Sequence, residues 1–191
     1  LWARMDFDRS DLSAGPVAFY TVNTRERFVL LLNGTEFYRN FAGADDEVLG
    51  WNRPYIAEIP QQLLRDGKNE VTMRIDTGVY WHVGIGTVQI GPSALLEAQR
   101  SHIFFWRIPG VMIAQGVMMA ATVYALLLWL LGWRDRRALL WSLIGIFWLL
   151  RNLHFFVERP LFDAIWFRDI SHYLIYFVVA LTYSFCAEVF D

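Results

Sequence analysis

The distribution of charge along the chain constrains it most. Residues 1–102 carry 23 charged side chains, 13 acidic and 10 basic, whereas residues 103–191 carry 13. Between residues 111 and 150 the only charges are Arg134, Asp135, Arg136 and Arg137. The first part has the charge density of a domain in water, and the second has the depletion expected of helices in lipid. This division excludes a disordered chain, a collagen-like or coiled-coil rod, a disulfide-rich miniprotein and a wholly soluble enzyme. The formal net charge of −2, with no clustered basic face, gives no basis for a nucleic-acid partner. Cys186 is the single cysteine, so no intrachain disulfide and no multi-cysteine metal site can form. Its place in an apolar run predicts a buried, inert thiol.

Residues 1–95 read as short strands separated by turn residues. Trp2 to Phe7 alternates, with Ala3, Met5 and Phe7 on one side. Val17 to Val22 follows the Gly15-Pro16 turn signal, and Arg27 to Leu32 runs into Asn33-Gly34 before Thr35 to Arg39. Asn-Gly between two β-favouring runs predicts a hairpin, because both turn residues need positive φ. Gln61 to Leu64 suggests one helical turn. Val71, Met73 and Ile75 then alternate with Thr72 and Arg74, and a last run, Thr87 to Ile90, ends at Gly91-Pro92. About seven short strands without a long amphipathic helix predict an all-β sandwich.

The second part predicts three membrane spans, at about 111–132, 138–158 and 171–190, so the fold class is mixed: a β-sandwich followed by an α-helical transmembrane bundle. Val111 to Leu131 is uncharged and would measure about 31 Å as a helix, enough to cross the hydrocarbon core. Pro160 marks where the second span stops. The four-residue loop Arg134-Asp135-Arg136-Arg137 carries three arginines, which places it in the cytoplasm and residues 1–95 outside, with 96–110 as the junction. Leu95 to Arg107 lacks Gly and Pro and predicts a stiff helical rod jointed at Pro109-Gly110. The chain begins at Leu1 and stops directly after an apolar run, as a piece of a longer protein would.

Two sets of residues suggest function. Trp51, Asn52, Arg53 and Tyr80, Trp81, His82 place aromatic rings beside planar polar groups in apparent loops, a combination suited to sugar recognition. The plainer reading is that Trp51 and Trp81 plug the sandwich ends or rest on the membrane surface. His82 has no other ligand-type residue at metal-binding spacing. In the second span Arg151, His154 and Glu158 fall at i, i+3 and i+7 and would share one helical face, with Asn152 beside them and His172 and Tyr176 of the third span in reach. A charge at that depth is costly unless paired, so the set reads either as a polar cluster that changes its pairing or as Arg151 reaching outward to Glu158. Glu188 would cap a neighbour or reach the headgroups. The run Asp45-Asp46-Glu47 reads as solvated surface. No nucleophile–base–orienter set, phosphate-cradling loop or metal-ligand spacing is evident, so neither an enzyme nor a cofactor is expected.

The phrases Leu31-Leu32-Asn33-Gly34-Thr35-Glu36, Ile59-Pro60 with Leu63-Leu64, and Gly67-Lys68-Asn69-Glu70-Val71 resemble the galactose-binding-like jelly roll. These turns are scaffold rather than ligand residues. Followed by Leu130-Leu131-Gly132-Trp133-Arg134-Asp135-Arg136-Arg137 and the arginine–asparagine phrase Leu149-Leu150-Arg151-Asn152-Leu153-His154, the chain is similar to the bacterial seven-transmembrane receptors with diverse intracellular signalling modules. That resemblance implies a bacterial inner-membrane sensor with a periplasmic jelly roll. It further implies a carbohydrate or other small periplasmic ligand, a lipid-bilayer setting, and homodimerisation through an output domain such as a histidine kinase or diguanylate cyclase. The chain departs from the family in holding three spans rather than seven. Two alternatives remain: a membrane-tethered carbohydrate-binding module, and a small accessory subunit of a membrane complex.

Overall fold

Seven strands form among the described residues: β1 (Trp2–Asp8), β2 (Val17–Thr21), β3 (Arg27–Leu32), β4 (Thr35–Arg39), β5 (Tyr55–Glu58), β6 (Lys68–Asp76) and β7 (Val88–Pro92). The computed structural model describes residues 1–12, 15–24, 27–42, 52–76, 84–157 and 163–190. Its contacts fall into two compact units, Leu1–Arg107 and Ile108–Asp191.

In the first unit two antiparallel sheets assemble, one in the order β1-β6-β3-β4 and the other β5-β2-β7. The expected hairpin joins β3 to β4, with φ of 51° at Asn33 and 87° at Gly34. Alternation decides which side chains meet. Phe28, Leu30 and Leu32 of β3, Val71, Met73 and Ile75 of β6, Val17 and Phe19 of β2, and Ala57 with Ile59 make one buried core shared by both sheets. Strand β5 has no counterpart in the sequence reading, because Tyr55–Glu58 is four residues long and lies between Pro54 and Pro60.

Strand β2 does not alternate: all five residues are buried. Val17 and Phe19 face the core, and Ala18 and Tyr20 face the other way. A helix, α1 (Ser93–Arg107), covers that second face, with Leu96 buried against Ala18 and Tyr20 and with Val22, Ile56 and Ile103 around them. The helix expected over Leu95–Arg107 is present, and its contacts assign it to the first unit rather than to a separate junction. Burying a leucine stabilises by roughly 1.5–3 kcal/mol, enough to hold a helix that a free rod would leave in water.

The residues that carry the jelly-roll resemblance bond to one another. Asn33 Nδ2 donates to Asn69 Oδ1 and to the Leu63 carbonyl, both at 2.9 Å. Asn69 is buried and also accepts from the Arg65 amide at 2.8 Å and donates to the carbonyls of Arg65 and Gly67. The Glu70 amide closes the set on Asn33 Oδ1 at 3.1 Å. These bonds fix the hairpin turn to the loop that enters β6.

The second unit contains α2 (Pro109–Leu128), α3 (Arg136–Asn152) and α4 (Ala164–Phe190). After α2 the chain widens into a π turn over Trp129–Trp133, and positive φ at Gly132 (119°) and Arg134 (39°) turns it toward α3. Asp135 caps α3 by accepting from the Arg137 amide at 2.9 Å, and Asp163 caps α4 by accepting from the Ile165 amide at 2.9 Å. Helix α3 lies against both others. It meets α4 through Phe147 stacked on Phe177 at 5.4 Å and Trp141 beside Phe185 at 5.6 Å. Gly145 of α3 meets Thr122 of α2 so closely that no Cβ fits. Three helical stretches, Ser93–Gly132, Arg136–Phe155 and Ile165–Phe190, are long and apolar enough to cross a membrane. Cys186 corrects an expectation: it is exposed on α4 rather than buried within the chain. Glu188 pairs with Arg136 at 3.3 Å, so it meets a neighbouring helix.

Candidate functional site

Of the six residues proposed for ligand contact, Trp51, Tyr80, Trp81 and His82 lie outside the described residues. Asn52 and Arg53 precede β5. Asn52 is buried. Its backbone carbonyl faces Arg107, the last residue of α1, whose Nη1 lies 3.5 Å from it and donates at 2.9 Å to the carbonyl of Val22. One guanidinium therefore reaches two separate loops of the first unit, the one after β2 and the one before β5. Sequence reasoning did not select Arg107. The available signal was its isolation, since no other charge occurs between Arg100 and Arg134.

Beneath α1 lies a second polar feature. Tyr20 is fully buried on the face of β2 that the helix covers, and its hydroxyl has no hydrogen-bond partner among the described residues. Burial pushes the phenol above its ordinary pKa, and the positive charges of Arg107 and Arg100 partly oppose the shift. A buried hydroxyl without a partner disfavours the arrangement that encloses it.

In the second unit the structure brings part of the expected polar cluster together. Glu158 lies outside the described residues. Helix α3 ends at Asn152, and the chain tightens into a 3-10 turn over Leu153–Phe155 that carries His154. Arg151 donates to Asn152 Oδ1 at 2.8 Å and sits over the rings of Phe155 and Trp148, 5.5 and 5.9 Å from their centroids. Cation–π contact and an amide oxygen thus stabilise this charge locally. The His154 and His172 rings approach to 6.3 Å. Each Nδ1 lies 2.7 Å from a backbone oxygen, that of Arg151 and that of Arg168, and a carbonyl only accepts, so each Nδ1 carries its proton. Tyr176 is exposed, and its described ring neighbour is Tyr173 at 6.4 Å.

Among the described residues no group of three or more His, Cys, Asp or Glu side chains is placed to hold a metal ion. The arrangement offers hydrogen bonding and charge placement at two locations, one in each unit. Compared with known proteins, the chain matches no family model and no curated relative.

Proposed function

We propose that this chain is the sensory domain and first transmembrane portion of a bacterial signal-transduction receptor, its output a histidine kinase, with the two-sheet unit in the periplasm. The ligand is a carbohydrate or similar small polar molecule, taken up by residues drawn from Trp51, Asn52, Arg53, Tyr80, Trp81 and His82. The role is reporting rather than chemistry, so no catalytic residue is assigned. One observation carries the reading: the strand-built unit ends in a helix at Arg107 and the first apolar helix begins at Pro109, with only Ile108 between. A tethered binding module needs slack between binder and anchor, and this junction provides one residue. The arginine-rich turn at 134–137 supports the orientation. A ligand can shift such a system only by its difference in affinity between two states, so the coupling segment has to be stiff.

The test uses the full-length protein in inner-membrane vesicles. Autophosphorylation is followed against a panel of saccharides, together with direct binding. The expected result is a saccharide that binds and changes the phosphorylation rate, with Arg53→Ala weakening binding at least tenfold. Binding that leaves output untouched would favour the tethered carbohydrate-binding module. Labelling of residues 1–95 from the cytoplasmic side would overturn the orientation and with it the receptor reading.

A further inference from the structure

We infer that α1 is a releasable latch on the first unit, closed by the grip of Arg107 on the carbonyls of Val22 and Asn52 and kept marginal by the unpartnered hydroxyl of Tyr20 beneath it. The inference rests on the receptor reading above and names the regulated element within it.

Three observations support the latch. The seat of α1 is narrow: Leu96 is its buried residue and Ile103 joins the same cluster, while Leu95, Phe105 and Trp106 on the same helix are exposed. The ends of the helix are held by polar contacts. The Ser93 amide donates to the Pro16 carbonyl at 3.0 Å at the start, and Arg107 donates to Val22 at the finish. The seated state also encloses a cost that the open state relieves, because lifting α1 returns the Tyr20 hydroxyl to water. An element held by few apolar contacts and opposed by one buried polar group opens below the global unfolding free energy of its unit. Strand β6 is held differently: β1 and β3 pair with its two edges, and Val71, Met73 and Ile75 lie in the main core.

The geometry also supplies the trigger. Asn52 adjoins the proposed ligand loop and presents its backbone oxygen to Arg107. A ligand that displaces the Asn52–Arg53 segment withdraws one acceptor from the guanidinium and biases the helix toward release. Release of α1 alters the residue run that leads directly to Pro109.

Hydrogen–deuterium exchange on the full chain in lipid nanodiscs tests this, comparing α1 (residues 93–107) with β6 (residues 68–76). In the parent protein the α1 amides are expected to exchange at least tenfold faster than those of β6. Arg107→Gln, which removes the charge and keeps the length, is expected to accelerate α1 a further tenfold with β6 unchanged. Tyr20→Phe is expected to slow α1, and because it removes a liability it keeps the test open if the arginine variant does not fold. The latch is overturned if α1 and β6 exchange together in the parent, or if Tyr20→Phe accelerates α1. The role of Arg107 is overturned if its variant leaves α1 exchange unchanged. No ligand or output is involved, so failure here refutes the latch alone, whereas a ligand-blind kinase refutes the receptor reading alone.

Discussion

Gly145 offers the most quantitative check on the helical unit. A Cβ at this position of α3 would lie 2.9 Å from both Cβ and Cγ2 of Thr122 on α2 and would collide with Thr122 Oγ1. Rotating the threonine does not relieve the contact, because its Cβ is fixed by the backbone and is itself too near. Its hydroxyl is also held at 2.7 Å from the Met118 carbonyl. Gly145→Ala therefore requires α2 and α3 to separate by about 0.6–1 Å to reach ordinary carbon contact, which forfeits a quarter to a half of the dispersion well across the seam. Overpacking of this kind costs about 1–3 kcal/mol. Alanine recovers about 1 kcal/mol of helix propensity over glycine. The expected net effect is a loss of about 1 kcal/mol, opposite in sign to a Gly→Ala change on an open helix face. The assay is reversible denaturation of the full chain in detergent micelles, run as a double-mutant cycle with Thr122→Gly. Moving the small residue to the other helix restores the close approach, so a coupling energy of at least 1 kcal/mol is expected. Additive effects, or a Gly145→Ala protein more stable than the parent, would show that the helices do not meet here.

Other expectations follow from single contacts. Asn69→Ala deletes the centre of the turn network and leaves the Arg65 amide and Asn33 Nδ2 short of an acceptor, which should cost about 1–3 kcal/mol and lower the urea midpoint of the strand signal. Asp8 accepts from the amide and hydroxyl of Ser10, which hold its carboxyl below the ordinary range. Its stabilisation is therefore present above the unfolded value of roughly 3.9 and lost as pH falls through the lower folded value. Thermal melts of Asp8→Asn should lack that part of the acid dependence. The Arg136–Glu188 pair is largely exposed, so Glu188→Gln should change stability by less than about 1 kcal/mol, and a larger effect would mean the pair is enclosed.

Local chemistry made several elements legible. Asn33-Gly34 announced its hairpin because two successive positive φ values admit few other residues. Val71, Met73 and Ile75 announced the inward face of β6 because period two is a direct consequence of the pleat. The covering of β2 by α1 was harder to read. Val-Ala-Phe-Tyr-Thr is apolar on both faces, the signature of a strand enclosed twice, but the sequence does not say what encloses it. In the second unit the spacing of Arg151 and His154 did not show that the helix tightens into a 3-10 turn at Leu153, where the His154 ring reaches the Arg151 carbonyl. The partners found for Arg151, its neighbour Asn152 and the rings of Trp148 and Phe155, lie within four residues along the chain. Arg107 was missed for a related reason: its acceptors are backbone carbonyls, which have no residue identity to search for.

The register of the sheets sets a timetable for biogenesis. Among the described residues β1 pairs with β6 and β2 is flanked by β5 and β7, so the earliest strands have partners much later in the chain. A growing chain can form the β3–β4 hairpin on its own, but β2 must wait for Tyr55–Glu58, β1 for Lys68–Asp76, and the second sheet is complete only once Pro92 has emerged. Truncation before that point should leave an aggregation-prone intermediate rather than a smaller domain. Because both sheets share one core, the unit closes in one late cooperative step once its last strand is available.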